Sequence, residues 1–205
     1  VYAILGLVIG LQYSGKPLQL GYHGLGELVI GTMFGPLNML GVHAALTGSI
    51  FSTDLFLLSV GIGCMVTNIV YVHSVMETSA DEKLGKFTFA HLLGCKKAQI
   101  AAIGVFAAIP FICLLVNILA FDWSPWYLLT AITIPMSIFL VISTHKFING
   151  IPQDDTPKWW MGPMGDWDNY VKAGMDWFLI RWILARNIVT FFCLVLIVVH
   201  IIGLF

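Results

Sequence analysis

Of the 205 residues, 59% are hydrophobic and 10% charged, and the mean hydropathy is +0.90; a soluble domain carries roughly a quarter charged residues, so this composition suits lipid. The formal net charge of −1 argues against a nucleic-acid partner, which needs a concentrated basic patch. The four cysteines, Cys64, Cys95, Cys113 and Cys193, show neither C-x-x-C pairing nor metal-ligand spacing, so neither a disulfide framework nor a zinc site has support.

The chain opens inside an apolar run, Val1–Leu11, with no initiator Met and no signal peptide. That run reads as the tail of a spanning helix. Residues 1–205 are accordingly expected to be one transmembrane domain lacking its N-terminal part. A spanning helix needs about 20 mostly apolar residues. Five full runs qualify, near Leu28–Ile50, Leu55–Met76, Ala98–Phe121, Trp126–His145 and Trp177–Phe205. The fold class is therefore an all-α, multi-spanning helical bundle of five full transmembrane helices plus the end of a sixth. Pro36, Pro110 and Pro135 fall within runs, which membrane helices tolerate when neighbours satisfy the freed carbonyls.

Short and long connections alternate. Phe51–Asp54 and Asp122–Pro125 contain no Lys or Arg, whereas all ten basic residues lie in or beside the long loops Gln12–Glu27, Glu77–Lys97 and Lys146–Asp176. The positive-inside rule places those three loops in the cytoplasm. The third loop carries Trp159, Trp160, Trp167, Tyr170 and Trp177, a composition that favours the headgroup layer. It reads as an interfacial anchor, with a lid over a cytoplasm-facing cavity as the sharper alternative.

The stretch with most chemical content is His73-Ser-Val-Met-Glu77-Thr-Ser-Ala-Asp81, followed by Lys86. On a continuing helix, residues spaced i, i+4 and i+8 project from one face in successive turns. Carboxylates so placed suit a hard cation shared with phosphate, since Mg²⁺ is usually held by one or two carboxylates plus substrate oxygens. The plainer alternative is the solvated end of a helix. Asn68, two and a half turns deeper, is either an interhelical hydrogen-bonder or a wall of an acceptor pocket.

Two blocks carry a resemblance. Tyr13-Ser-Gly-Lys16-Pro17, Tyr22-His23-Gly24-Leu-Gly26-Glu27 and Phe34-Gly35-Pro36 form the first. Asp81-Glu-Lys-Leu-Gly85-Lys86-Phe-Thr88, ending in Leu93-Gly94, forms the second. Together they resemble the UbiA superfamily of aromatic prenyltransferases, most like the branch that prenylates 1,4-dihydroxy-2-naphthoate in menaquinone synthesis. The resemblance implies a fragment of a nine-helix fold in the inner (cytoplasmic) membrane, with its active face cytoplasmic. It implies an enzyme that uses Mg²⁺ to transfer a polyprenyl group from its diphosphate to an aromatic acceptor.

The resemblance assigns Glu77 and Asp81, with His73 beside them, to the second of two acidic metal motifs. Lys86, Lys16 and Tyr13 then face the diphosphate, and Asn68 faces the acceptor pocket. The first acidic motif is absent, so the fragment alone is expected to be inactive. Glu77 stands where Asp is usual, and His73-Ser-Val-Met76 replaces N-N-x-R. His23 replaces the Arg of Y-R-G. These departures leave open other acceptors (a hydroxybenzoate, a homogentisate or a porphyrin-type alcohol), or a non-catalytic scaffold or transporter fragment.

Overall fold

The computed structural model describes residues 1–203, among which there is no strand. Helix α1 (Tyr2–Ser14) leads through a loop with one 3-10 turn, Leu20–Tyr22, into α2 (Gly26–Thr47) and α3 (Thr53–Met76). Two short helices follow, α4 (Thr78–Lys83) and α5 (Phe89–Leu93). Next come α6 (Lys96–Ala120), α7 (Pro125–Ile148), short α8 (Trp167–Lys172) and α9 (Asp176–Ile202).

Five helices, α2, α3, α6, α7 and α9, are long and apolar enough to cross a membrane. At 1.5 Å per residue they measure about 33 to 40 Å, against a hydrocarbon core of roughly 30 Å. They match the five expected runs. Leu204 and Phe205, placed by the sequence in the last run, lie outside the described residues.

The prolines act locally. Around Pro36, α2 widens into a π turn over Met33–Leu37, which accommodates the missing N–H without ending the helix. Helix α7 opens as a 3-10 stretch, Pro125–Thr133, and Pro135 falls in the first turn of its α-helical part. The first turn requires no N–H donor there.

Glycines determine the closest crossing. A Cβ added at Gly31 would press on Thr67 Oγ1 and lie 2.7 Å from the Gly63 carbonyl oxygen; one at Gly35 would press on the Ser59 carbonyl and lie 2.7 Å from Gly63 Cα. Backbone therefore meets backbone between α2 and α3. In lipid the apolar surround supplies little drive for helix association, and close van der Waals packing of small residues takes that role. The core lies where α3, α6, α7 and α9 converge, around Tyr71, Val72, Ile103, Leu140, Leu184 and Phe192.

All three long loops gather at one end of the bundle. Phe87 pairs with the first loop, Lys96 Nζ donates to the Ile148 carbonyl, and Arg181 Nη2 donates to Asp155. At the opposite end, Asn117 Nδ2 donates to the Asp54 carbonyl at 2.9 Å, and Trp123 Nε1 donates to the Asp54 carboxylate at 3.2 Å.

The middle of the third loop does not simply lie flat. Asn187 Nδ2 donates to the carbonyls of Met161 (2.8 Å) and Pro163 (3.0 Å), drawing the loop about 16 Å along α9 from Asp176, at 1.5 Å per residue. Met161 and Met164 are buried, whereas Trp159 is 92% exposed. Part of this loop is core and part is free to anchor.

Candidate functional site

The acidic residues sit where α3 ends, and the helix does not continue through them. Glu77 has φ −109° and ψ 16°, between the last turn of α3 and the first of α4. The Thr78 hydroxyl folds back to the Ser74 (2.9 Å) and Val75 (3.1 Å) carbonyls. The Glu77 carbonyl instead starts a new turn, accepting from Ala80 and Asp81 N–H. The expected single face of His73, Glu77 and Asp81 is thus interrupted.

Each carboxylate has its own partner. His73 Nε2 stands 2.6 Å from Glu77 Oε2, with both side chains about one-third exposed, at 38% and 36%. The His73 ring also packs edge-on against Phe178, with centroids 5.0 Å apart. Asp81 is buried, and Lys86 Nζ donates to its two oxygens at 3.3 and 3.5 Å. Gly85, at φ +70°, provides the left-handed turn that brings Lys86 back over Asp81, a conformation glycine adopts without strain.

Among the described residues no group of three His, Cys, Asp or Glu side chains could hold a metal ion. His73 is hydrogen-bonded to Glu77 and packed on Phe178 in this arrangement. Two carboxylates remain, and this donor set suits a cation that takes its other oxygens from phosphate.

The first loop meets the second edge to edge. Gly24 N–H donates to the Phe87 carbonyl at 2.6 Å, Phe87 N–H donates to the Tyr22 carbonyl at 3.3 Å, and His23 and Phe87 form a single parallel bridge. The Tyr13 ring rests on Gly21, where a Cβ would come within 3.2 Å, and lies within electrostatic range of Lys86 and Glu27. Lys16 is exposed on the rim and forms no ion pair among the described residues.

Asn68 stands in the bundle interior, 5% exposed. Its Nδ2 donates to the Ile103 carbonyl at 3.3 Å, and its buried Oδ1 has no partner. The cavity beside it, walled by Met65, Ala107, Ser137, Leu140 and Ile188, is about 10 Å³. That space is close to the minimum for one water and far too small for an aromatic ring. Asn68 ties α3 to α6.

Sequence reasoning counted Arg181 only among the positive-inside residues and gave Glu27 no role; both are buried charges at this end. Glu27 is 5% exposed, and its two oxygens share the Phe89 N–H at 3.2 Å each. Arg181 is completely buried, donating to the carbonyls of Ser143 and Trp177 and to Asp155, with its guanidinium 4.8 Å from the Phe147 ring centre. The available signal was an ionisable residue opening an apolar run, since such residues inside a membrane bundle tend to be paired and to matter.

Residues 1–161 match the family model described as the UbiA prenyltransferase family. The chain is 25% identical over 154 residues to a 1,4-dihydroxy-2-naphthoate octaprenyltransferase of Bacillus subtilis, covering 75% of this chain and 47% of that protein. It is 26% identical over 138 residues to the Haemophilus influenzae protein of the same description, covering 67% and 41%. A 2-carboxy-1,4-naphthoquinone phytyltransferase of Synechocystis is 29% identical over 145 residues, covering 69% and 46%. The chain spans about half the length of the curated relatives it matches. No solved structure matches it.

Proposed function

Because this chain belongs to the UbiA prenyltransferase family, we propose that the protein transfers a polyprenyl group from its diphosphate to an aromatic quinone precursor such as 1,4-dihydroxy-2-naphthoate. The observation that carries this reading is the gathering of Glu77, Asp81, Lys86 and Tyr13 at the loop end of a bundle suited to lipid. Prenyl diphosphates divide in the same way, with a charged head for the loop end and an apolar tail for the lipid side. An apolar groove of about 300 Å³, walled by Leu28, Gly31, Pro36, Gly63, Cys64 and Phe106, begins one residue below Glu27 and offers the tail a path.

In the reaction the allylic C–O bond breaks and its electron pair leaves with diphosphate. A ring carbon of the acceptor then bonds the allylic carbon, and the ring proton passes to the departed diphosphate or to water, which restores aromaticity. Glu77 and Asp81 would hold Mg²⁺, which when bound neutralises leaving-group charge. The Lys86 ammonium lies close enough to Asp81 to move onto an arriving phosphate oxygen, and such positioned cations stabilise charge that develops in the transition state. The Tyr13 ring borders the same space and can shield a cation with its π face. Exposed Lys16 acts at the rim, drawing the anionic head inward. The reading takes this end to face the cytoplasm from the inner membrane, an orientation that the lysines of the long loops support.

The test uses membranes holding the full protein, labelled polyprenyl diphosphate and 1,4-dihydroxy-2-naphthoate. Mg²⁺-dependent product should form, and Glu77→Gln and Asp81→Asn should each lower it by about a hundredfold or more. Full activity in both variants would remove these carboxylates from the site. No product with this acceptor or with a panel of phenolic acceptors would turn the reading toward a non-catalytic membrane protein.

A further inference from the structure

Glu27 is a buried carboxylate whose only hydrogen-bond donor among the described residues is one backbone N–H, shared by its two oxygens. Among the described residues no Lys, Arg or His pairs with it. An ionised group held so sparingly is costly to bury, and a neutral side chain would tie two loops together at lower cost. What the carboxylate holds is therefore informative.

Its partner, Phe89, opens α5 directly after the Asp81–Thr88 stretch. The Phe89 ring is fixed among Tyr71 (5.7 Å) and Phe106 (6.1 Å) in the core, so the grip is rigid on both sides. Glu27 is itself anchored, because Thr67 Oγ1 donates to its carbonyl at 3.2 Å. Two residues before Phe89, the Phe87 backbone is paired with Tyr22 and Gly24. One residue further back stands Lys86, over Asp81.

A second arm completes the brace. Thr88 N–H donates to His91 Nδ1 at 3.0 Å, which makes that nitrogen the acceptor and leaves Nε2 to donate to the Thr78 carbonyl at 3.0 Å. The loop bearing Lys86 is thus held to α2 by Glu27 and to the start of α4, next to Glu77, by His91.

We infer that Glu27 is a positioning residue for diphosphate binding, acting through the Phe87–Phe89 backbone to hold Lys86 over Asp81 without touching the substrate. This rests on the prenyl-diphosphate reading above.

The experiment takes the full protein in detergent or nanodiscs and makes two measurements on wild type, Glu27→Ala and Glu27→Gln. The first is amide hydrogen exchange of residues 84–89 without ligand. The second is the Kd for inorganic diphosphate with Mg²⁺. Glu27→Ala should exchange this segment faster and bind diphosphate about tenfold or more weakly, a loss on the scale of one charge-assisted contact. Glu27→Gln keeps an acceptor for the Phe89 N–H and should recover both in large part.

Should Glu27→Ala not accumulate, Glu27→Asp carries the same expectation, because it withdraws the acceptor by one methylene while keeping the charge. Faster exchange with wild-type diphosphate affinity would overturn the inference. So would slow exchange combined with weak binding in Glu27→Gln, since the backbone route would then be wrong. A wild type that binds diphosphate, shows this pattern and yet transfers no prenyl group would sink the reaction and leave the positioning role standing.

Discussion

Replacing Arg181 with Ala should destabilise the protein by about 3–5 kcal/mol, the range for breaking a buried ion pair by removing one partner. The guanidinium is fully buried and satisfied. Nε donates to the Ser143 carbonyl at 3.3 Å, Nη1 to Trp177, and Nη2 to Asp155 at 2.8 Å. Its plane also faces the Phe147 ring, which itself stacks on Trp177 at 5.1 Å and 4°. Truncation leaves a cavity and strands Asp155, whose side chain is only 21% exposed.

In a detergent thermal-shift experiment the midpoint should fall by roughly 10 °C. Asp155→Ala should fall in the same direction and by less, since the guanidinium keeps two carbonyl partners. The adjacent Asp154 is the control. It forms an exposed pair with Lys158 at 2.6 Å, and exposed pairs contribute little, so Asp154→Ala should melt with wild type. An Arg181→Ala protein that also melts with wild type would mean the pair is not formed in the membrane-extracted state.

Gly35→Val is expected to be the most disruptive single change within the spans. The new side chain would meet the Ser59 carbonyl and the Gly63 Cα and nitrogen, all backbone atoms of α3. No rotamer can relieve a backbone clash, so α2 must move away as a body. Overpacking costs typically 1–3 kcal/mol and more where nothing yields. Separation would also forfeit the close packing that binds helices in lipid.

The protein should accumulate poorly in membranes, and what remains should lose resistance to chymotrypsin at Tyr22 in the first long loop. Gly104, inside α6, gives the contrast. A Cβ there meets nothing within 4 Å, so Gly104→Ala should be neutral or stabilising by up to about 1 kcal/mol, the difference in helix preference. Equal membrane yields for Gly35→Val and Gly104→Ala would contradict the observed α2–α3 crossing.

The two glycines illustrate how differently fold and site can be read from the chain. Gly31 and Gly35 form a small-xxx-small pair visible in the sequence, yet only their meeting with Gly63 and Thr67 shows that the pair is used. Gly6 and Gly10 have the same spacing, and their added Cβ atoms meet nothing closer than 3.5 Å. Spacing raises the question of contact and cannot answer it.

The same limit applied at the site. Nothing in Met76-Glu77-Thr78-Ser79 signals a helix stop, for it contains no Gly or Pro. The break arises where the Thr78 hydroxyl competes for the Ser74 and Val75 carbonyls. It removes His73 from any shared face with Asp81.

What the amino-acid sequence determined by itself was the architecture. Lipid offers backbone groups no hydrogen bonds, so an apolar run of about 20 residues has little choice but to be a helix. Five such runs and the lysines between them therefore dictated five spans and the side on which the long loops gather. Only the tertiary structure decided which polar groups meet. Glu27 reaches Phe89 across 62 residues and Arg181 reaches Asp155 across 26, while Asn68 turns to Ile103 across 35. Local patterns speak for neighbours within a turn or two, whereas these partners are chosen by helix crossings. A buried charge or amide takes whichever donor or acceptor the packing brings within about 3 Å.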